Sequence, residues 1–270
     1  MNSHLIKIKR ILDLRIDEIS KYTKYFFQKR KPLKSKFVLV CDYRSGSTLL
    51  ANLLNQHPEI YCDDEIFIPF VESKLERVVW PYGYLQGRII NAPKSIYGFD
   101  CKVSQIGKMG VNPQNTTTQF FENLYRNNWK FIYLKRVNIV RQSLSNYIAN
   151  ARNQWHDRPS EILERRKVTV DINSFQKEIK SRQKISILSE QLMFKIPHLQ
   201  VVYEDDLLSS DCHENTIKRI CGYLNAPVFY HETDMRRVST NRLSNDIDNF
   251  KEVIYFLRSS PYSHHIDFDD

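Results

Sequence analysis

The run Phe37-Val38-Leu39-Val40-Cys41-Asp42-Tyr43-Arg44-Ser45-Gly46-Ser47-Thr48-Leu49-Leu50 constrains this chain more than any other segment. Five consecutive apolar residues before a short polar stretch predict a strand buried in a parallel sheet, ending in a tight loop. Gly46 allows the backbone to approach a ligand closely, and Ser47 and Thr48 suit the first turn of a helix. Leu49, Leu50, Leu53 and Leu54 then recur at helical spacing. Strand, glycine turn and helix start would turn free N–H groups, two hydroxyls and the Arg44 guanidinium toward one anion, for which a phosphate is the natural fit. Two common phosphate loops are excluded. No glycine stands five residues before Gly46 and no lysine follows it, so the nucleoside-triphosphate pattern is absent. A dinucleotide loop needs three glycines, and this one has a single glycine.

A second apolar run, Lys130-Phe131-Ile132-Tyr133-Leu134, is followed by Lys135-Arg136-Val137-Asn138-Ile139-Val140-Arg141-Gln142-Ser143-Leu144-Ser145. It reads as another strand, a short basic loop and a helix. With Arg44-Ser45-Gly46-Ser47-Thr48, this pair of segments resembles the sulfotransferases that use 3′-phosphoadenosine 5′-phosphosulfate (PAPS). The pattern Arg136-x-Asn138-x-x-Arg141-Gln142-x-x-Ser145 is similar to their bacterial carbohydrate and glycolipid branch. The resemblance implies a P-loop-like α/β fold and no metal. It also implies that Arg44, Ser45, Gly46, Ser47, Thr48 and Leu49 hold the phosphosulfate, while Arg136 and Ser145 hold the 3′-phosphate. In the commoner version of the motif the serine falls one residue earlier, where this chain has Leu144, so Ser143 remains an alternative.

The same resemblance supplies the chemistry. In relatives a helix ending in His-Pro leads to a Gly-Glu or Asp-Glu pair before an apolar residue, and that glutamate is commonly the general base. His57-Pro58 and Asp64-Glu65-Ile66 match, which makes Glu65 the expected base and Asp64 its fallback. A carboxylate beside Ile66 and Phe67 is shielded enough for its pKa to rise toward that task. Arg44 is the expected catalytic cation for charge on the phosphosulfate oxygens. Relatives often carry a lysine directly after a Gly-Phe pair. Here Asp100 takes that place, with Lys102 two residues on; positions two apart share a strand face, so Lys102 either reaches the same cleft or is a surface lysine. Gln200-Val201-Val202-Tyr203-Glu204-Asp205-Asp206-Leu207 is similar to a structural element of the family, read as a strand with a cap. The basic segment with Arg236, Arg237 and Arg242 matches a family loop over the 3′-phosphate and adenine.

With 270 residues, 41% of them hydrophobic, the chain has enough for one core. Strand signals at 37–41, 97–103, 130–134 and 199–203 alternate with helical ones at 47–56, 116–127, 140–153, 173–195 and 214–224. That alternation predicts a single α/β domain, residues 37–270, with a central parallel sheet flanked by helices. Residues 154–172, with Trp155 and His156, read as a lid or acceptor-side insert, and His156 is an alternative base. The acceptor loops are expected at 63–95 and 152–172. Five cysteines with no C-x-x-C spacing point to reduced thiols and a cytoplasmic setting rather than zinc or disulfides. No apolar stretch has the length of a membrane span or the position of a signal core.

Charge is concentrated at one end. Residues 1–36 carry eleven Lys/Arg against three Asp/Glu, a local +8 of the chain's +9. Leu5, Ile8, Leu12, Ile16, Ile19 and Tyr22 recur there near helical spacing. This segment is either a basic amphipathic helix on an anionic membrane, in peripheral contact near a glycolipid acceptor, or a helix packed on the domain with a solvated basic face. Nucleic acid is not an expected partner, because the body is near neutral and lacks a base-reading motif. The leading functional expectation is sulfuryl transfer from PAPS to a carbohydrate or glycolipid hydroxyl. The alternative is a catalytically silent nucleotide-binding module of the same fold.

Overall fold

The computed structural model describes residues 3–29, 32–73, 77–110, 113–154, 166–233, 235 and 242–266. In chain order the elements begin with α1 (Ser3–Phe27), β1 (Ser35–Cys41), α2 (Ser47–Asn55), β2 (Ile60–Asp63), α3 (Ile68–Ser73), α4 (Pro81–Arg88) and β3 (Ile96–Lys102). They continue with α5 (Val103–Ile106), α6 (Pro113–Arg126), β4 (Lys130–Lys135), α7 (Ile139–Arg152), α8 (Ile172–Met193), β5 (His198–Val202), α9 (His213–Leu224) and α10 (Phe250–Arg258). The strands form one sheet in the order β2-β3-β1-β4-β5, every pairing parallel. The expected α/β domain with a central parallel sheet is what the chain builds.

Strand alternation divides the core between the two sheet faces. Val38, Val40, Tyr97, Phe99, Phe131 and Tyr133 face one way, onto side chains of α4 and α6 such as Leu85 and Phe121. Phe37, Leu39, Cys41, Ile132, Leu134 and Val201 face the other way, onto Leu50 and Leu54 of α2 and Ile217 and Ile220 of α9. At Gly98 a Cβ would lie 2.1 Å from the Phe37 ring, so glycine alone lets the centres of β1 and β3 close together. A third apolar cluster joins α7, α8 and α10 through Val140, Leu144, Phe175, Ile179, Val253 and Leu257.

Several elements depart from the sequence expectations. β2 is a four-residue edge strand, ending at Asp63, that the strand signals did not include. α4 lies inside the stretch expected as an acceptor loop, and its Gly87 sits where a Cβ would meet the Lys21 carbonyl oxygen of α1 at 1.8 Å. α10 was not anticipated. Because the chain leaves β1 toward β2 and β3 on one side and then crosses to β4 and β5, the strand order reverses at β1. Open parallel sheets bind ligands at the carboxyl ends of strands flanking such a reversal. The ends of β1 and β4 carry the Arg44 and Arg136 loops.

Candidate active site

The loop after β1 has a strained backbone. Arg44 has φ 62°, and Gly46 has φ 94° and ψ 14°. Any Cβ at Gly46 would stand 2.6 Å from Tyr203 Cδ2, so both the left-handed conformation and the aromatic floor demand glycine. Three consecutive loop carbonyls are engaged. Ser45 Oγ donates to the Asp42 oxygen (2.7 Å), Gln142 Nε2 and Arg182 Nη1 donate to that of Tyr43 (2.7 and 2.8 Å), and Arg136 Nη1 donates to that of Arg44 (2.8 Å). No side chain caps the α2 N-terminus, which begins at Gly46. Its first-turn N–H groups and helix dipole therefore remain directed at the space above the loop.

Arg44 and Arg136 meet there. Arg44 Nε donates to Ser145 Oγ on α7 at 3.1 Å. The Arg136 guanidinium lies 4.4 Å from the centre of the Tyr203 ring, with Glu204 3.9 Å from its Nε. Burial pushes the Arg44 pKa down to about 10, with the charges of Arg136 and Arg182 adding to the effect. Clustered cations that depress one another are relieved by an anion. Glu204 also accepts the N–H groups of Val137 and Asn138, both at 3.0 Å, so it braces the Arg136 loop from beneath. The Tyr203–Leu207 turn, expected as a cap, is thus the floor beneath Gly46 and Arg136. Nothing in the spacing signalled this, because the contact joins residues far apart in sequence.

A second group of polar side chains lies beside the first, linked through Ser47. Lys102, at 1% exposure, donates to both Asp100 carboxylate oxygens (2.7 Å each), to Ser47 Oγ (2.9 Å) and to Cys41 Sγ (3.1 Å). It stands 3.6 Å from Glu65 Oε1. Burial opposes charge on Lys102, but Asp100 and the other anionic neighbours outweigh it and hold the ammonium protonated. The other Glu65 oxygen accepts a hydrogen bond from Gln105 Nε2, which also donates to Tyr43 Oη (3.0 Å). Burial raises the Glu65 pKa, Asp100 adds to the rise, and Lys102 and Gln105 oppose it. Expected on the sequence as either cleft or surface, Lys102 is the buried pivot of this group. Gln105 and Tyr43 were missed, since neither residue type signals chemistry until it touches Glu65.

Not every expected residue joins these groups. Asp63 is taken by Arg88 (2.6 Å) and Tyr97 (2.8 Å). Asp64 is exposed, and its N–H bonds back to Asp63 (3.1 Å). Ser143 is fully buried on α7, whereas Ser145 reaches Arg44. Thr48 is exposed at the α2 start, and Leu49 packs at the edge of the core. Arg236, Arg237 and His156 lie outside the described residues. Among the described residues, no group of three or more His, Cys, Asp and Glu is arranged for a metal, and no helix is long and apolar enough to cross a membrane.

A parallel α/β sheet with a glycine turn, an uncapped helix start and two arginines at its point of reversal defines a protein with the chemistry to hold a phosphorylated anion. No family model matches the chain. Nodulation protein H of Rhizobium tropici is 24% identical over 251 residues, covering 88% of this chain and 96% of that protein. The crystal structure of mouse sulfotransferase SULT7A1 complexed with PAP matches with a TM-score of 0.44 and 16% identity, over 77% of this chain. The chain spans 63% of that mouse protein, under two thirds of its length. The likeness over nearly the full length of the nodulation protein bears out the resemblance to PAPS-dependent sulfotransferases.

Proposed function

We propose that this protein transfers a sulfuryl group from PAPS to a hydroxyl of a carbohydrate or glycolipid. The observation that carries the reading is the meeting of the two loops: Arg44 reaches Ser145, and Arg136 reaches the Arg44 carbonyl. That contact brings the two segments resembling a 5′-phosphosulfate site and a 3′-phosphate site to one pocket. Arg44 and the uncapped N–H groups from Ser47 to Leu49 suit the sulfate-bearing end, and Arg136 with Ser145 suits the 3′-phosphate. The carbohydrate branch is favoured by the Arg136 to Ser145 motif, and the name of the R. tropici relative is compatible with it.

In this reading Glu65 accepts the proton of the acceptor hydroxyl as its oxygen attacks sulfur. The new O–S bond forms as the bond from sulfur to the 5′-phosphate oxygen breaks, and the electron pair leaves on that phosphate. Arg44 and the first-turn N–H groups of α2 offset the developing negative charge with donors already in place. A pKa raised by burial brings Glu65 closer to working pH, and Lys102 stops the rise from leaving it permanently protonated.

Isothermal titration with 3′-phosphoadenosine 5′-phosphate, against 5′-AMP and ATP, tests the donor assignment. Micromolar binding of the bisphosphate is expected, with 5′-AMP much weaker. Arg136→Ala should reduce affinity for the bisphosphate about tenfold to a hundredfold, the loss of a charged hydrogen-bond partner. Preference for ATP would overturn the reading. An acceptor screen of oligosaccharides and glycolipids with labelled sulfate donor then separates an enzyme from a silent binding module.

A further inference from the structure

The amphipathic helix α1 is apolar on two sides. Its body-facing side sets Leu14 and Tyr22 against the core and is anchored by polar contacts. Glu18, 2% exposed, accepts the Val79 N–H (2.7 Å) and the Tyr22 hydroxyl (2.6 Å) and pairs with Arg15. Asp17 pairs with Lys21 (2.7 Å) and accepts the Tyr84 hydroxyl of α4 (2.7 Å). Two of the segment's three acids are thus spent on holding the helix to the body.

A second set of apolar residues points outward. Leu5, Ile8, Leu12, Ile16, Ile19 and Phe26 are all exposed, Ile16 at 65%. At 100° per residue they fall within an arc of about 80°, along a helix roughly 37 Å long. Beyond the C-terminal end of the row Phe27 is 84% exposed, and Phe26 stacks at 6.2 Å on Trp80, itself exposed beside Val79. A soluble surface does not normally present a continuous apolar row of this length.

We propose that the outward face of α1, extended by Val79 and Trp80, docks on an anionic lipid surface with the helix lying in its plane. Charge selects this occupant. Residues 1–36 carry +8, exposed Lys9 flanks the apolar row with exposed Lys7 and Arg10 farther round the same helix, and a second copy would bring the same repelling charge. Charge and not spacing makes the choice, because Leu5, Leu12, Ile19 and Phe26 recur every seven residues, a period that would equally suit a helical partner. Aromatic rings at one end suit the headgroup level. This docking stands apart from the reaction proposed above, since it is read without turnover.

Flotation of the full chain with phosphatidylcholine vesicles, with and without phosphatidylglycerol, is the test. Binding is expected only to the anionic vesicles and should weaken as salt screens the attraction. The double variant Leu12→Ser, Ile16→Ser should bind at least about tenfold more weakly, by the lost apolar burial. Its melting temperature and bisphosphate binding should not change, because both side chains are exposed and neither belongs to the Arg44 or Arg136 loop. Equal binding to neutral vesicles would overturn the proposal. So would no binding at all, or concentration-dependent dimerisation abolished by the same variant, which would assign the face to a second copy.

Discussion

The two halves of the candidate site are built by different means. The Arg44–Arg136 pocket is made largely of backbone: a glycine turn, an uncapped helix start and carbonyls held by side chains. The Glu65–Lys102 group is made of side chains alone, a buried lysine shared among Asp100, Ser47, Cys41 and Glu65. The first offers fixed dipoles to an anion and has little to titrate near neutral pH. The second is a set of coupled charges in which Lys102 and Asp100 push the Glu65 pKa in opposite directions. Binding and proton transfer should therefore respond to different substitutions.

The largest separation is expected from Glu65→Gln, a nearly isosteric change. Turnover should fall about a hundredfold to ten-thousandfold while bisphosphate affinity stays the same. Unchanged turnover, followed with a labelled donor, would remove Glu65 from the base role. Lys102→Met comes next, since it leaves Asp100 buried without its cation. It should cost about 3–5 kcal/mol in denaturant unfolding, and a double variant with Asp100→Asn should recover part of that.

The same two positions sharpen the comparison through pH. A base must be unprotonated, so activity falls as pH drops through the raised Glu65 pKa. Asp100 contributes to that rise and Lys102 opposes it. Asp100→Asn should thus move the acidic limb of kcat to lower pH, and Lys102→Met should move it to higher pH. Parallel shifts would break the opposed roles of Asp100 and Lys102 at Glu65. On the backbone side, Gly46→Ala should cost about 1–3 kcal/mol of stability and weaken the bisphosphate, with the pH profile unmoved.

Much of the first half was legible along the chain because it is local. Strand, glycine and hydroxyl-rich helix start are contiguous from Phe37 to Leu50, and Arg136 and Ser145 lie within one strand–helix unit. Of the second half only Glu65 had a clear signal. Asp100 and Lys102 alternate on a strand in a way compatible with either cleft or surface, and what decided was the pairing of β1 beside β3, with Cys41 opposite Lys102. Tyr203 illustrates the same limit, since its ring becomes a floor only once β5 lies beside β4.

The amino-acid order alone specified the period of β1, β4 and the helices that follow them, the need for glycine at the β1–α2 turn and the basic character of residues 1–36. These follow from local sterics, side-chain periodicity and charge count, which need no partner. Tertiary structure alone decided that Lys102 is buried and neutralised, that Ser145 rather than Ser143 meets Arg44, and that α1 turns its apolar row outward. Each depends on which surfaces compete for the same side chain, and that competition exists only when distant segments are packed together.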